Sequence, residues 1–170
     1  VLFQLEVDGK PVCVSDDTMQ ATQCGPIRQN DMQQGEVYNA QLEGELTGWH
    51  GVRTYHDDLP ITGMNTVPIL EHEAFSGKLL QTPNGETVLD FGENLAGILR
   101  VTGALPHGKT LVMEHGELLQ DGCFCRDNLR TARAALTVTG DGAERVLEPL
   151  FTYFGFRYVR LSGLSPQEND

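Results

Sequence analysis

Residue types that move protons stand together at Glu114-His115-Gly116-Glu117, where two carboxylates flank an imidazole. Such groups serve general acid–base catalysis when a cleft perturbs them and a substrate proton lies within reach. Along a strand, Glu114 and His115 point to opposite faces, which works against a compact dyad. Asp90 and Asn94 surround a Gly-rich bend over 90–97. Side chains of this kind bond their own backbone in bends, and the alternative is a sugar or calcium contact. The charged oxygens of an EF-hand-like loop are missing, so no metal ligand is assigned. Trp49, the only tryptophan, lies with His50, Tyr55, His56, Asp57 and Asp58. An aromatic face beside acids is suited to a sugar ring, so Trp49, Asp57 and Asp58 are the candidate sugar-binding residues. The rival is that Trp49 packs between two sandwich units, since its ring buries a large area.

The spacing of Cys13, Cys24, Cys123 and Cys125 is not the disulfide framework of a small secreted domain, and a chain of 170 residues does not need such staples. Cys123-Phe124-Cys125 has a single intervening residue where zinc knuckles use two to four. Four free thiols in a reducing cytoplasm is the expectation, with no metal and no cofactor. The histidines show no ligand spacing of the His-x-x-x-His kind.

Phe151, Tyr153, Phe154, Phe156 and Tyr158 make the densest aromatic segment. A strand apolar on both faces is buried on both sides, as a core strand or at a domain interface. Phe154, Phe156, Arg157 and Tyr158 are therefore the expected interface residues. Arg157 is expected to pair with a carboxylate or stack on a ring.

These residues need elements to position them, and the pattern is one of short strands. Val1, Phe3, Leu5 and Val7 alternate with Leu2, Gln4 and Glu6, and Asp8-Gly9 turns the chain into a return strand over 11–14. A strand over 18–22 ends at Gly25-Pro26, and 35–42 alternates with Tyr38, Ala40 and Leu42 as the core face. Periodicity fades over 44–66, the best candidate for a long connection. Strands resume at 67–70, 77–81, 88–91, 98–101, 110–113, 136–138, 146–147 and 156–161, with turns at Pro83-Asn84-Gly85 and Pro106-His107-Gly108. Only 128–135 could form a short helix. Regularly spaced short strands predict an all-β, antiparallel sandwich.

The totals agree. Twelve basic residues stand against 24 acidic ones, a net charge of -12, and no Lys/Arg cluster occurs. Phosphate backbones and anionic bilayers are bound through clustered cations, so nucleic acid and membrane are excluded as partners. No run approaches the ~18 apolar residues of a membrane helix.

Four strings, in order, resemble the bacterial α-L-rhamnosidases of glycoside hydrolase family 78. They are Gly35-Glu36-Val37-Tyr38-Asn39-Ala40, Leu89-Asp90-Phe91-Gly92-Glu93-Asn94-Leu95-Ala96-Gly97, Glu114-His115-Gly116-Glu117-Leu118-Leu119, and Pro149-Leu150-Phe151-Thr152-Tyr153-Phe154-Gly155-Phe156-Arg157-Tyr158. Departures are Asn39 for Asp, Glu93 for Gln, Gly116 for Ala, Phe154 for a common His, and Ala135-Leu136 where an Asp is frequent. The resemblance implies the end of an N-terminal β-sandwich plus connection over 1–62, a jelly-roll, concanavalin-like sandwich over 63–164, and a flexible tail over 165–170. It also implies that the string at Glu114-His115-Gly116-Glu117 is structural, ending a strand with a carboxylate that holds neighbouring backbone or an arginine, and that the hydrolytic acids lie on an α/α barrel following these domains. Inversion needs an acid and a base about 6.5–9.5 Å apart, and no family acid maps here, so no catalytic residue is assigned. The expected function is architectural, with the barrel of its own full-length chain as partner and a rhamnose-containing carbohydrate as a second candidate. The fragment itself is expected to be inactive. A stand-alone carbohydrate-binding module is the alternative, and a protein-interaction sandwich a third.

Overall fold

The computed structural model describes residues 3–55, 60, 62–63 and 65–163. They form two compact units: one from the segments up to Gly25 and from Gly44 to Leu70, the other from Pro26–Glu43 and from Glu71 onward. Fifteen strands are numbered in chain order. Helical structure among the described residues is confined to two 3-10 turns, Ala40–Leu42 and Asp127–Leu129.

In the first unit, β1 (Gln4–Val7) and β2 (Lys10–Val14) pair antiparallel. Asp8 and Gly9, with φ of 51° and 72°, make the left-handed two-residue turn that suits strand twist. A second pair joins β3 (Gln20–Ala21) to β6 (His50–Gly51). Every residue of these four strands is exposed.

The second unit holds β4 (Ile27–Asp31), β5 (Gly35–Asn39), β7 (Lys78–Gln81), β8 (Thr87–Gly97), β9 (Val101–Ala104) and β10 (Thr110–Gly116). After them come β11 (Leu118–Gln120), β12 (Cys123–Cys125), β13 (Ala135–Thr139), β14 (Glu144–Leu147) and β15 (Phe154–Ser162). Seven strands form one sheet in the order β4-β5-β13-β10-β15-β8-β7. The β5–β13 pair is parallel and its neighbours are antiparallel, so the sheet is mixed. Gly35 opens the parallel pair with φ +95°, and a Cβ there would lie 1.9 Å from the Ala135 carbonyl oxygen. Only glycine permits that approach.

Alternation puts Leu111, Met113 and His115 of β10 on one buried face, with Leu136 and Val138 of β13 beside them. The β9–β14 ribbon contributes Val101 and Leu147 to the same cluster, with Leu99 and Leu105. This is the core of the sandwich. Phe156 is 1% exposed and meets Phe91 edge to face at 5.4 Å. Full burial of such a side chain stabilises the fold by about 1.5–3 kcal/mol. Between Phe156 and Tyr158 the pairing of β15 with β8 slips, from Phe156↔Leu95 to Tyr158↔Asp90. This irregularity makes Val159 the next core residue after Phe156.

Several expectations change. The division at residue 62 would leave 35–39 with the first unit, but hydrogen bonding to β13 carries that strand into the second. Residues 67–70 form no strand, and Val67 and Ile69 are exposed, because nothing pairs with them. The strand expected over 98–101 starts only at Val101, and 128–135 yields a 3-10 turn before Ala135 enters β13. β4 and the β11–β12 hairpin are additional, and 165–170 lies outside the described residues.

Candidate functional site

The best-organised polar cluster lies in the second unit and begins at Glu114 on β10. Its Oε2 accepts from Arg160 Nε at 2.9 Å and Nη2 at 2.6 Å, and its Oε1 accepts from Arg126 Nη1 at 2.5 Å. Arg160 reaches on to Glu86 Oε1 at 2.7 Å, and Glu86 Oε2 accepts from the Phe124 backbone N–H at 3.0 Å. Partial burial works to raise the Glu86 carboxyl; Arg160, the Phe124 N–H and Thr82 outweigh it and hold the group low. Charge-assisted bonds of this kind are the strong ones, and here they lock four side chains together. The acid nearest the imidazole is thus occupied by two arginines.

His115 points the other way, into the core. Its ring stacks on Phe154 at 4.1 Å and meets Phe156 edge-on at 4.8 Å. Its Nδ1 pairs with the Ala134 carbonyl at 3.1 Å, while buried Nε2 has no hydrogen-bond partner. Burial drives the imidazole down to about 4, against the Ala134 bond and with help from Arg126. It is a neutral core group at ordinary pH. Glu117 accepts from Asn94 Nδ2 at 3.1 Å and Asn128 Nδ2 at 2.5 Å, a clamp between β8 and the 3-10 turn.

Asp90 accepts from the Gly92 N–H at 2.8 Å, as its type suggests in a bend. It also takes Arg157 in a two-pronged pair, Nε to Oδ1 at 2.9 Å and Nη2 to Oδ2 at 3.1 Å. Arg157 holds this carboxyl below the usual carboxylate range, partial burial opposing. The guanidinium also lies 4.9 Å from the centre of the Tyr158 ring, so both expected modes operate together. Asn94 bonds Glu117 and not its own backbone. Among the described residues, no group of three or more His, Cys, Asp or Glu could hold a metal ion.

The expected interface residues divide. Phe154, Phe156 and Tyr158 are buried within this unit, and Phe154 and Phe156 belong to its core cluster. They offer no free surface. The exposed apolar side chains are instead Leu150, Phe151 and Tyr153, with Phe151 69% exposed. Glu36, only 1% exposed, holds this segment in place. Its carboxylate accepts from the backbone N–H groups of Leu150 (3.1 Å) and Phe151 (3.2 Å), and from Asn30 Nδ2 at 2.7 Å. Sequence reasoning passed over Glu36, although an acid opening a strand beside Gly35 was the signal available.

In the first unit, Trp49 is 48% exposed and its indole N–H donates to the Leu46 carbonyl at 2.9 Å. Asp57 and Asp58, proposed to share a sugar site with it, lie outside the described residues, as does His56.

Comparison with known proteins bears on what this arrangement belongs to. Residues 80–170 match the family described as bacterial alpha-L-rhamnosidase concanavalin-like domain. An alpha-L-rhamnosidase of Streptomyces avermitilis is 33% identical, and one of Formosa agariphila 32%, each over 96% of this chain. The crystal structure of the Streptomyces avermitilis enzyme complexed with L-rhamnose superposes with a TM-score of 0.81 at 31% identity, over 94% of this chain and 17% of that one. The Aspergillus terreus alpha-L-rhamnosidase gives 0.71 at 30% identity, over 94% of this chain and 20% of that one. The chain spans only 17% and 19% of the two bacterial relatives. With the match running through β8, β10 and β15, which carry the core and the arginine–carboxylate pairs, the chain belongs to the bacterial alpha-L-rhamnosidase concanavalin-like domain family.

Proposed function

We propose that this chain is a non-catalytic β-sandwich part of an alpha-L-rhamnosidase, supporting and orienting the α/α barrel that hydrolyses terminal α-L-rhamnose from glycosides. The observation that carries the reading is the match to one fifth or less of the length of enzymes bearing that name. The state of the acids supports it. Glu86, Asp90 and Glu114 are each held by an arginine, and Glu36 by backbone N–H groups, which leaves them poorly placed to move protons. The segment Leu150, Phe151 and Tyr153, with Arg157 nearby in sequence, is the surface we assign to the barrel, because large apolar side chains pinned in place form effective contact anchors. A reducing cytoplasm is the compartment proposed for it. The purified chain incubated with an aryl α-L-rhamnoside is expected to release no aryl alcohol; turnover by the pure chain would falsify the assignment.

A second reading, a stand-alone carbohydrate-binding module, draws on the half-exposed indole of Trp49. Titration with L-rhamnose, with and without calcium, is read by the fluorescence of this single tryptophan. A saturable change would favour the module; a flat response favours the architectural role.

A further inference from the structure

The β11–β12 hairpin carries a pair of thiols that neither the core nor the proposed supporting role uses. Asp121 and Gly122, with φ of 52° and 77°, form its tight turn. The register sets Leu119 opposite Phe124, Gln120 opposite Cys123 and Leu118 opposite Cys125. Phe124 is fixed inward from three sides. Its N–H is bound by Glu86, the Arg160 guanidinium lies 5.2 Å from its ring centre, and its ring fills the space where a Cβ on Gly116 would lie 2.8 Å away. Alternation along a strand then sends Cys123 and Cys125 together to the opposite face. Neither is in a disulfide and both are partly exposed; Cys125 Sγ donates to Gln120 Oε1 at 3.6 Å, and both cysteines line one open depression with Gln120, Asp121, Arg126, Asp127 and part of Phe124.

We propose that Cys123 and Cys125 form a two-thiolate site for a soft, thiophilic metal ion of the Cu(I) class. Residues two apart on a strand have Cα atoms roughly 6.6 Å apart. That lies near the upper end of the roughly 4.4–6.8 Å span of disulfide Cα separations. A linear sulfur–metal–sulfur unit holds its two sulfurs much farther apart than the roughly 2.05 Å of a disulfide bond, and it suits the wider gap. Zinc seeks four ligands, and no third His, Cys, Asp or Glu among the described residues joins the thiols in a metal-sized group. Cu(I) is a soft ion that thiolates select. Binding follows Cu⁺ + 2 Cys–SH → [Cu(S–Cys)₂]⁻ + 2 H⁺, with no change of oxidation state. Arg126 lines the same depression with its guanidinium already bonded to Glu114 and Ala132, and Asp121 and Asp127 stand on the rim.

The test is an anaerobic titration of the fully reduced chain with Cu(I) against the chromophoric chelator bicinchoninate. One Cu(I) per chain should be withheld from the chelator, and equally so in Cys13→Ser/Cys24→Ser. Cys123→Ser and Cys125→Ser should each weaken retention at least tenfold, with unchanged circular dichroism. Native mass spectrometry reads the same stoichiometry on the unsubstituted chain. Absence of withheld Cu(I), retention surviving either single substitution, or one ion shared between two chains would overturn the site.

Discussion

The two units use similar strands to opposite effect. In β1 and β2, Leu5, Val7, Val12 and Val14 recur along a well-formed hairpin, yet all four are exposed. In β10 and β13 the same kind of pattern buries Leu111, Met113, Leu136 and Val138. The difference is the presence of a covering layer: β9 and β14 pack against the second unit's sheet, and among the described residues nothing covers the hairpin in this way. Apolar alternation therefore specifies a strand's pleat and face, while the stabilisation it brings depends on a second layer arriving to exclude water.

The comparison can be broken from both ends. Phe156→Ala, deep in the second unit, is expected to cost about 3–5 kcal/mol, read as a shift in the midpoint of urea unfolding. A loss below about 1 kcal/mol would mean the core is not sealed as described. The His115 imidazole supplies a pH-dependent counterpart. Its folded value of about 4 lies below its ordinary 6.5, so the unfolded chain binds the proton more readily. The associated stability is full above about pH 6.5 and is lost as pH falls toward 4, by about 3 kcal/mol. His115→Leu should flatten unfolding free energy across that window, leaving the carboxylate-driven losses at lower pH. Glu114→Gln weakens the hold on Arg126 and Arg160, which are only partly buried, so a loss of about 1–3 kcal/mol is expected, together with a steeper salt dependence in the parent than in the variant. Gly116→Ala pushes a methyl against the Phe124 ring and should cost about 1 kcal/mol in thermal unfolding, recovered in Gly116→Ala/Phe124→Leu. Smallest of all, Val12→Ala in the first unit should stay within about 0.5 kcal/mol.

Strand existence was legible wherever alternation met a turn signal. Asp8-Gly9 announced its hairpin, and 110–113, 136–138 and 156–161 each sit inside an observed strand. Arg157 was expected to find a carboxylate or a ring and finds both. What could not be read was pairing at a distance. β4 has mostly polar residues and is held by β5, so no local pattern marks it. The slip between β15 and β8 shifts the buried face from Phe156 to Val159, and alternation cannot anticipate a change in its own register. Glu36 was invisible for a similar reason: its partners at Leu150 and Phe151 stand more than a hundred residues away. The departure of Gly116 from the family's Ala has a physical counterpart only once Phe124 is seen against it.

The parallel pairing of β5 with β13 has a consequence for how the molecule must be made. Gly35 meets Ala135, a hundred positions later, so the early strand cannot complete its ladder until the late one has been synthesised. At about 5–20 residues per second, translation leaves 26–43 waiting on the order of 5–20 s with the far edge of β5 open to water. During that interval the nascent segment is open to chaperones, proteases and mispairing with neighbouring chains. The β5–β13 ladder can close only once the late strand has emerged, and slow codons between the two strands would lengthen the vulnerable wait.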